Sequence, residues 1–104
     1  MKKDQYLTKA LAKILSNQPP SKTLSLLGQI LTDKELDYVE RRLRIGLMLK
    51  RGNPYTKIQD ELKVSAATVA VVADQMKQAG FLDLINKLEK ETKRFQWIMS
   101  QLKK

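Results

Sequence analysis

The stretch Tyr55–Met76, YTKIQDELKVSAATVAVVADQM, decides the fold. It reads as two short helices joined by a tight turn. Thr56 is placed to cap the first helix, Gln59 three residues on completes a capping box, and Ile58 and Leu62 fall four apart on one face. Lys63-Val64-Ser65 supplies the turn. Val64 is apolar enough to plug inward, and the Ser65 hydroxyl suits the N-cap of the next helix. That helix puts Val69, Val72 and Met76 on one stripe, at steps of three and four. The pattern Ile-x3-Leu-x-Val-Ser-x2-Thr-Val predicts a helix-turn-helix, a motif whose second helix fits a DNA major groove.

Working upstream, Gly52 is a natural helix stop and Asn53-Pro54 confirms the break. Before it, Thr32-Asp33-Lys34-Glu35 is a second capping box, with acids in the first turn where the helix dipole favours them. It opens a helix over 33–51. Leu36, Val39, Leu43 and Leu47 form one face, which Tyr38, Ile45 and Leu49 widen. A helix nearly apolar all round precedes it, with Ser21 or Thr23 as cap and Leu24, Leu27 and Leu31 on one face beside Leu26 and Ile30. Pro19-Pro20 separates it from a first amphipathic helix over 3–17, where Leu7, Leu11 and Ile14 line one side.

Downstream, Ala79-Gly80 is expected to close the second helix of the motif. The last segment, 81–102, carries a heptad-like seam of Phe81, Ile85, Leu88, Thr92, Phe95, Met99 and Leu102. Trp97 lies off the seam and reads as core or interface. The seam asks for a partner helix, either the N-terminal helix of the same chain or a helix of a second subunit. We expect the second subunit, because two such apolar segments exceed one small core.

Composition agrees with an all-helical chain of about six helices. At 104 residues it is one domain, with only four Gly and three Pro. There is no Cys and no His, which excludes disulfides, thiolate metal sites, a His-based triad and a His pH switch. No glycine-rich phosphate loop, Ser nucleophile motif or zinc spacing is present, and Asp60-Glu61 and Asp33/Asp37 suit solvated helix faces better than metal or acid–base sites. We expect no enzyme, no cofactor and no metal. No apolar run reaches the ~20 residues of a membrane span, and the basic N-terminus makes a poor signal peptide, so a cytoplasmic protein is the expectation. The net charge of +9, from 20 basic and 11 acidic residues, favours a polyanionic partner, with plain solubility as the other reading.

From Leu31 to Met76 the chain resembles the Trp repressor superfamily, especially its short Trp-repressor-like branch. The landmarks are Leu31-Thr32, Arg42-Leu43-Arg44-Ile45, Leu49-Lys50-Arg51-Gly52-Asn53, Tyr55-x2-Ile58, Glu61-Leu62 and Ser65-Ala66-Ala67-Thr68-Val69. The resemblance implies an intertwined all-α homodimer: 1–31 as dimerisation helices, 32–80 as the long helix plus helix-turn-helix, and 81–104 as a packing helix. It implies two recognition helices facing successive major grooves of double-stranded DNA, with half-sites about one DNA turn apart. In the tryptophan-responsive members two arginines grip the corepressor. Arg42 matches the first and is the one candidate here for a small ligand, with a surface or interface arginine as its bland reading. The second position is Val71 and the neighbouring glycine position is Val72, so tryptophan is not the expected effector.

The same correspondence puts Ser65, Ala66, Ala67, Thr68 and Ala70 at the groove-facing start of the recognition helix. Alanine methyls can meet thymine methyls, and Thr68 can hydrogen-bond a base edge or phosphate. No Arg, Asn or Gln precedes Gln75, and Asp74 stands where a phosphate-contacting residue is expected. Flanking cations must supply affinity: Lys50, Arg51, Lys57, Lys63 and Lys77. The expectation is a DNA-binding transcriptional regulator. The alternative is a helical dimer that has lost specific DNA binding and serves as a protein-interaction module, suggested by the uncharged run Ala66–Ala73.

Overall fold

The computed structural model describes residues 5–102, and the side chains of residues 5–94. The described residues form six α-helices and no strand: α1 (Tyr6–Ser16), α2 (Pro20–Ile30), α3 (Asp33–Lys50), α4 (Tyr55–Leu62), α5 (Ala66–Gln75) and α6 (Ala79–Leu102). The all-helical expectation holds. The chain forms two compact parts, divided within α3 between Tyr38 and Val39.

In the N-terminal part, α1 and α2 form a helical hairpin joined through Asn17–Pro19. Pro20 occupies the first helical turn, where a missing N–H costs nothing, and Pro19 precedes it in extended backbone. No side chain caps α2, so the caps expected from Ser21 or Thr23 do not form. Thr23 instead donates its hydroxyl to the Leu15 carbonyl at 2.9 Å, satisfying one of the acceptors left open at the end of α1. Neither α1 nor α2 contains a buried residue. Tyr6, Leu7 and Leu24 are 72%, 70% and 65% exposed while Leu11, Leu26, Leu27 and Leu31 are half-buried, so the apolar faces read from the sequence are only partly covered.

The capping box that starts α3 forms in full. The Thr32 amide donates to Glu35 Oε1 at 2.8 Å, and the Glu35 amide donates to Thr32 Oγ1 at 3.1 Å. The Thr32 amide, then the Thr32 side chain, holds the Glu35 carboxyl below its ordinary value against a smaller opposing effect of burial.

In the C-terminal part, α3 ends where glycine allows it. Gly52 has φ +82°, its amide donates to the Leu49 carbonyl at 3.0 Å, and the Asn53 amide donates to the Met48 carbonyl at 3.0 Å. This pair of bonds is a Schellman motif. The Asn53 side-chain amide donates to the same Met48 carbonyl at 3.0 Å. The buried face of α3 differs from the expected one. Ile45 and Gly46 are buried, with Met48 and Leu49 packed against the core, whereas Val39 is 47% exposed and Leu43 and Leu47 are half-buried. Ile45 closes against Ile58, Val69 and Val72, and with Ile85 these are the buried hydrophobic residues among those described.

The last helix also departs from the expectation. It begins at Ala79, so Ala79-Gly80 open α6 and do not close α5. The break falls at Met76–Gln78, where the Lys77 and Gln78 amides bond three residues back, to Asp74 and Gln75. On α6, Phe81, Leu88 and Thr92 are half-buried and Ile85 is fully buried. Ile85 lies against Gly46 of α3 in the same chain, so this half of the seam finds cover without a second subunit. The seam positions Phe95, Met99 and Leu102, and Trp97, lie outside the described side chains.

Candidate nucleic-acid interface

The site is built from α4, α5 and the turn between them. α4 begins at Tyr55 and not at Thr56, because Pro54 takes the N-cap position with φ −69° and ψ 157°. Its carbonyl accepts from the Lys57 and Ile58 amides at 3.1 and 3.3 Å. The Thr56–Gln59 capping box therefore does not form, and Thr56 lies inside the first turn. Ile58 is fully buried, and Leu62 and Val64 pack against the core as the spacing predicts.

The turn rests on an unexpected backbone conformation. Lys63 has φ 56° and ψ 49°, left-handed and uncommon for a residue with a Cβ. The conformation ends α4, with the Lys63 amide donating to the Gln59 carbonyl. Ser65 then caps α5: its Oγ accepts from the Thr68 amide at 3.1 Å, and the two hydroxyls share a hydrogen bond at 3.0 Å. Val69 and Val72 are buried on the inner face of α5. Ala66, Ala67, Thr68 and Ala70 are exposed, and Val71 is 60% exposed. The recognition surface is thus small, uncharged and mostly aliphatic.

The basic residues singled out in the sequence differ in how they are held. Lys63 makes no ion pair among the described residues. Lys57 stands 4.0 Å from Glu61 and Lys77 stands 3.6 Å from Asp74, both local pairs on exposed side chains. Such pairs contribute little and release easily. Lys50 and Arg51 are different. Lys50 Nζ donates to Glu89 Oε1 at 2.8 Å, and Arg51 Nε donates to Glu89 Oε2 at 3.5 Å. The Lys50 hydrogen bond is the main reason that the Glu89 carboxyl sits below its ordinary value, opposed by burial and helped by the charges of Lys50 and Lys93 and by Arg51. Sequence reasoning missed Glu89, which lies 39 and 38 positions from its partners with no local signal to mark it.

Arg42 is exposed on α3. It does not line the open cleft of about 400 Å³ bounded by Glu40, Arg44, Leu47, Met48, Arg51, Glu61, Leu62 and Thr92. Among the described residues no cluster of carboxylates could hold a metal ion, and no helix is long and apolar enough to cross a membrane.

A family model described as Trp repressor protein matches residues 5–88. The chain belongs to the Trp repressor family. This is a family of DNA-binding helix-turn-helix regulators and not of enzymes. No curated protein and no solved structure matches the chain. In this Trp repressor family member, Val71 of α5 is exposed, and Val72, only 3% exposed, is part of the core.

Proposed function

We propose that this chain is a transcriptional regulator that binds double-stranded DNA as a homodimer, with α5 of each protomer in one of two successive major grooves. One observation carries the reading. The motif buries Val69 and Val72 behind α5 and leaves Ala66, Ala67, Thr68 and Ala70 open at its capped start, with exposed lysines on α4 (Lys57), in the turn before α5 (Lys63) and just past its end (Lys77). Small aliphatic residues let the helix backbone come close to base edges. Alanine methyls and Val71 meet thymine methyls, and Thr68 and Ser65 reach phosphate or a base edge. Lys57, Lys63 and Lys77 contact phosphates, whereas Lys50 and Arg51 are engaged by Glu89. Without bidentate base readers, sequence preference comes from methyl contacts, half-site spacing and DNA shape.

The exposed Tyr6, Leu7, Ile14 and Leu24 of α1 and α2 support the homodimer, because pairing would cover them. The two valines at 71 and 72 support regulation without tryptophan, since neither side chain can hold a carboxylate. The experiment is a fluorescence-anisotropy titration of a random-sequence duplex across salt concentrations, on the native chain and on K57A/K63A. The native chain should bind with an affinity that falls steeply with salt. The double variant should bind more weakly, with a log–log slope shallower by roughly 1 per lost phosphate contact.

A protein-interaction module is the second reading. Val71, 60% exposed in the middle of an uncharged helix face, is the observation that favours it. No binding of the folded native chain to duplex at low salt would establish this reading over the first.

A further inference from the structure

We propose that Glu89 is an internal competitor for DNA: it holds Lys50 and Arg51 back from phosphate, and this end of α3 adds to DNA affinity only when that carboxylate is displaced or neutralised. The inference rests on the DNA-binding reading above.

The argument begins with the ion pairs themselves. Arg44–Glu40, Lys57–Glu61, Lys77–Asp74, Lys87–Asp83 and Arg94–Glu91 each join residues three or four apart on side chains more than half exposed. Water and salt screen all five, and a phosphate can take the cation from any of them at little cost. Glu89 is built differently. It reaches from α6 to the end of α3, uses one oxygen for Lys50 and the other for Arg51, and leaves only 14% of its side chain exposed. Lys50 is drawn down with it, to 32% exposure, while Arg51 stays at 46%. A carboxylate on a half-buried side chain, with a cation on each oxygen, is a stronger rival to phosphate than a mobile surface acid.

The two cations and one carboxylate carry a net charge of only +1 at a point where the sequence alone advertises +2. Each lysine or arginine that contacts a phosphate steepens the salt dependence of binding by about 0.9 in log–log slope. Cations engaged by Glu89 do not contribute. The native slope should therefore be set by Lys57, Lys63 and Lys77, and not by Lys50 and Arg51. Glu89 thereby limits non-specific affinity in a chain whose recognition helix has few base-reading groups.

The test compares the native chain, E89Q, K50Q/R51Q and the triple variant, each titrated against a random-sequence duplex between about 50 and 200 mM salt. Glutamine keeps the size and the hydrogen-bonding oxygen of Glu89 but not its charge. The expected result for E89Q is tighter binding at low salt and a slope steeper by roughly 1–2 per protomer. K50Q/R51Q should leave the native slope unchanged, and in the triple variant it should cancel the gain. Native binding with an E89Q slope equal to the native one overturns the proposal while the DNA reading stands. Binding by neither protein overturns the DNA reading itself. Thermal melts check that E89Q folds. Should it not, K50Q/R51Q alone decides: an unchanged slope supports the proposal, and a slope reduced by roughly 1–2 per protomer overturns it.

Discussion

The backbone of Gly46 on α3 lies directly against the side chain of Ile85 on α6. A Cβ placed on Gly46 would stand 2.7 Å from Ile85 Cδ1 and 3.1 Å from its Cγ1, with Phe81 Cε2 at 3.5 Å. Ile85 is fully buried, so its terminal methyl has no solvent to move into. Alanine at 46 gains up to about 1 kcal/mol of helix propensity but overpacks the contact by about 1–3 kcal/mol. G46A should therefore be less stable than the native chain by about 1 kcal/mol. I85V alone should cost about 1 kcal/mol, yet in the G46A background it should cost nothing or stabilise. Denaturant melts of the four proteins measure the coupling. Additive effects, within about 0.5 kcal/mol, would show that the helices yield there.

The turn of the helix-turn-helix stores strain at Lys63. Left-handed backbone costs about 1–2 kcal/mol for a residue with a Cβ, and glycine escapes that cost. K63G should raise stability by about 1 kcal/mol, whereas K63A should leave it nearly unchanged. Both variants lose the same charge, so both should weaken DNA binding alike and flatten the salt slope by about 0.9 per protomer. A K63G protein no more stable than K63A would mean that the turn relaxes without glycine.

The capping box of Thr32 and Glu35 makes a pH-dependent contribution. T32A should cost about 1 kcal/mol at neutral pH, since the Glu35 amide loses its acceptor. The Glu35 carboxyl titrates lower in the fold than in the unfolded chain. Its stabilising effect is complete above the unfolded value, about 4.3, and disappears as pH falls through the folded one. Glu89 shifts in the same direction, so the useful quantity is the stability difference between the native chain and E35Q. That difference should be constant from pH 7 to about 5 and should shrink below about 4. A difference independent of pH down to 3 would mean that the carboxylate charge plays no part in the cap.

Pairing through the N-terminal helices makes a prediction at Leu24, which is 65% exposed in one chain. On a free surface L24K should change stability by no more than about 0.5 kcal/mol. In a homodimer that buries this face, it should lower the melting temperature, remove its dependence on protein concentration and shift the mass in sedimentation equilibrium to that of one chain. A native chain that sediments as a monomer at micromolar concentration would dispose of the paired-groove arrangement.

Several features were legible in the sequence because their causes are local. The Thr32–Glu35 box, the Ser65 cap, the Gly52 stop and the inward side of α5 each depend on groups within about four residues of one another, where helix geometry alone fixes who meets whom. Local reading failed where two local signals competed. Thr56 looked like a cap, but Pro54 had already begun α4 with its preset φ. Gly80 looked like a stop, but α5 ends earlier, and Gly80 sits in the first turn of α6.

The order of the helices, most of their ends and the turn motif between α4 and α5 follow from local sequence. Which face of α3 is buried, which half of the α6 seam the chain covers for itself, and the sharing of the Glu89 carboxylate by Lys50 and Arg51 arise only when the helices pack. The reason is physical. A cap or an apolar stripe is enforced by bonds and steps along one helix. The Gly46–Ile85 contact and the Glu89 bridge join positions 39, 39 and 38 apart, and nothing in either local neighbourhood requires the other until the helices pack.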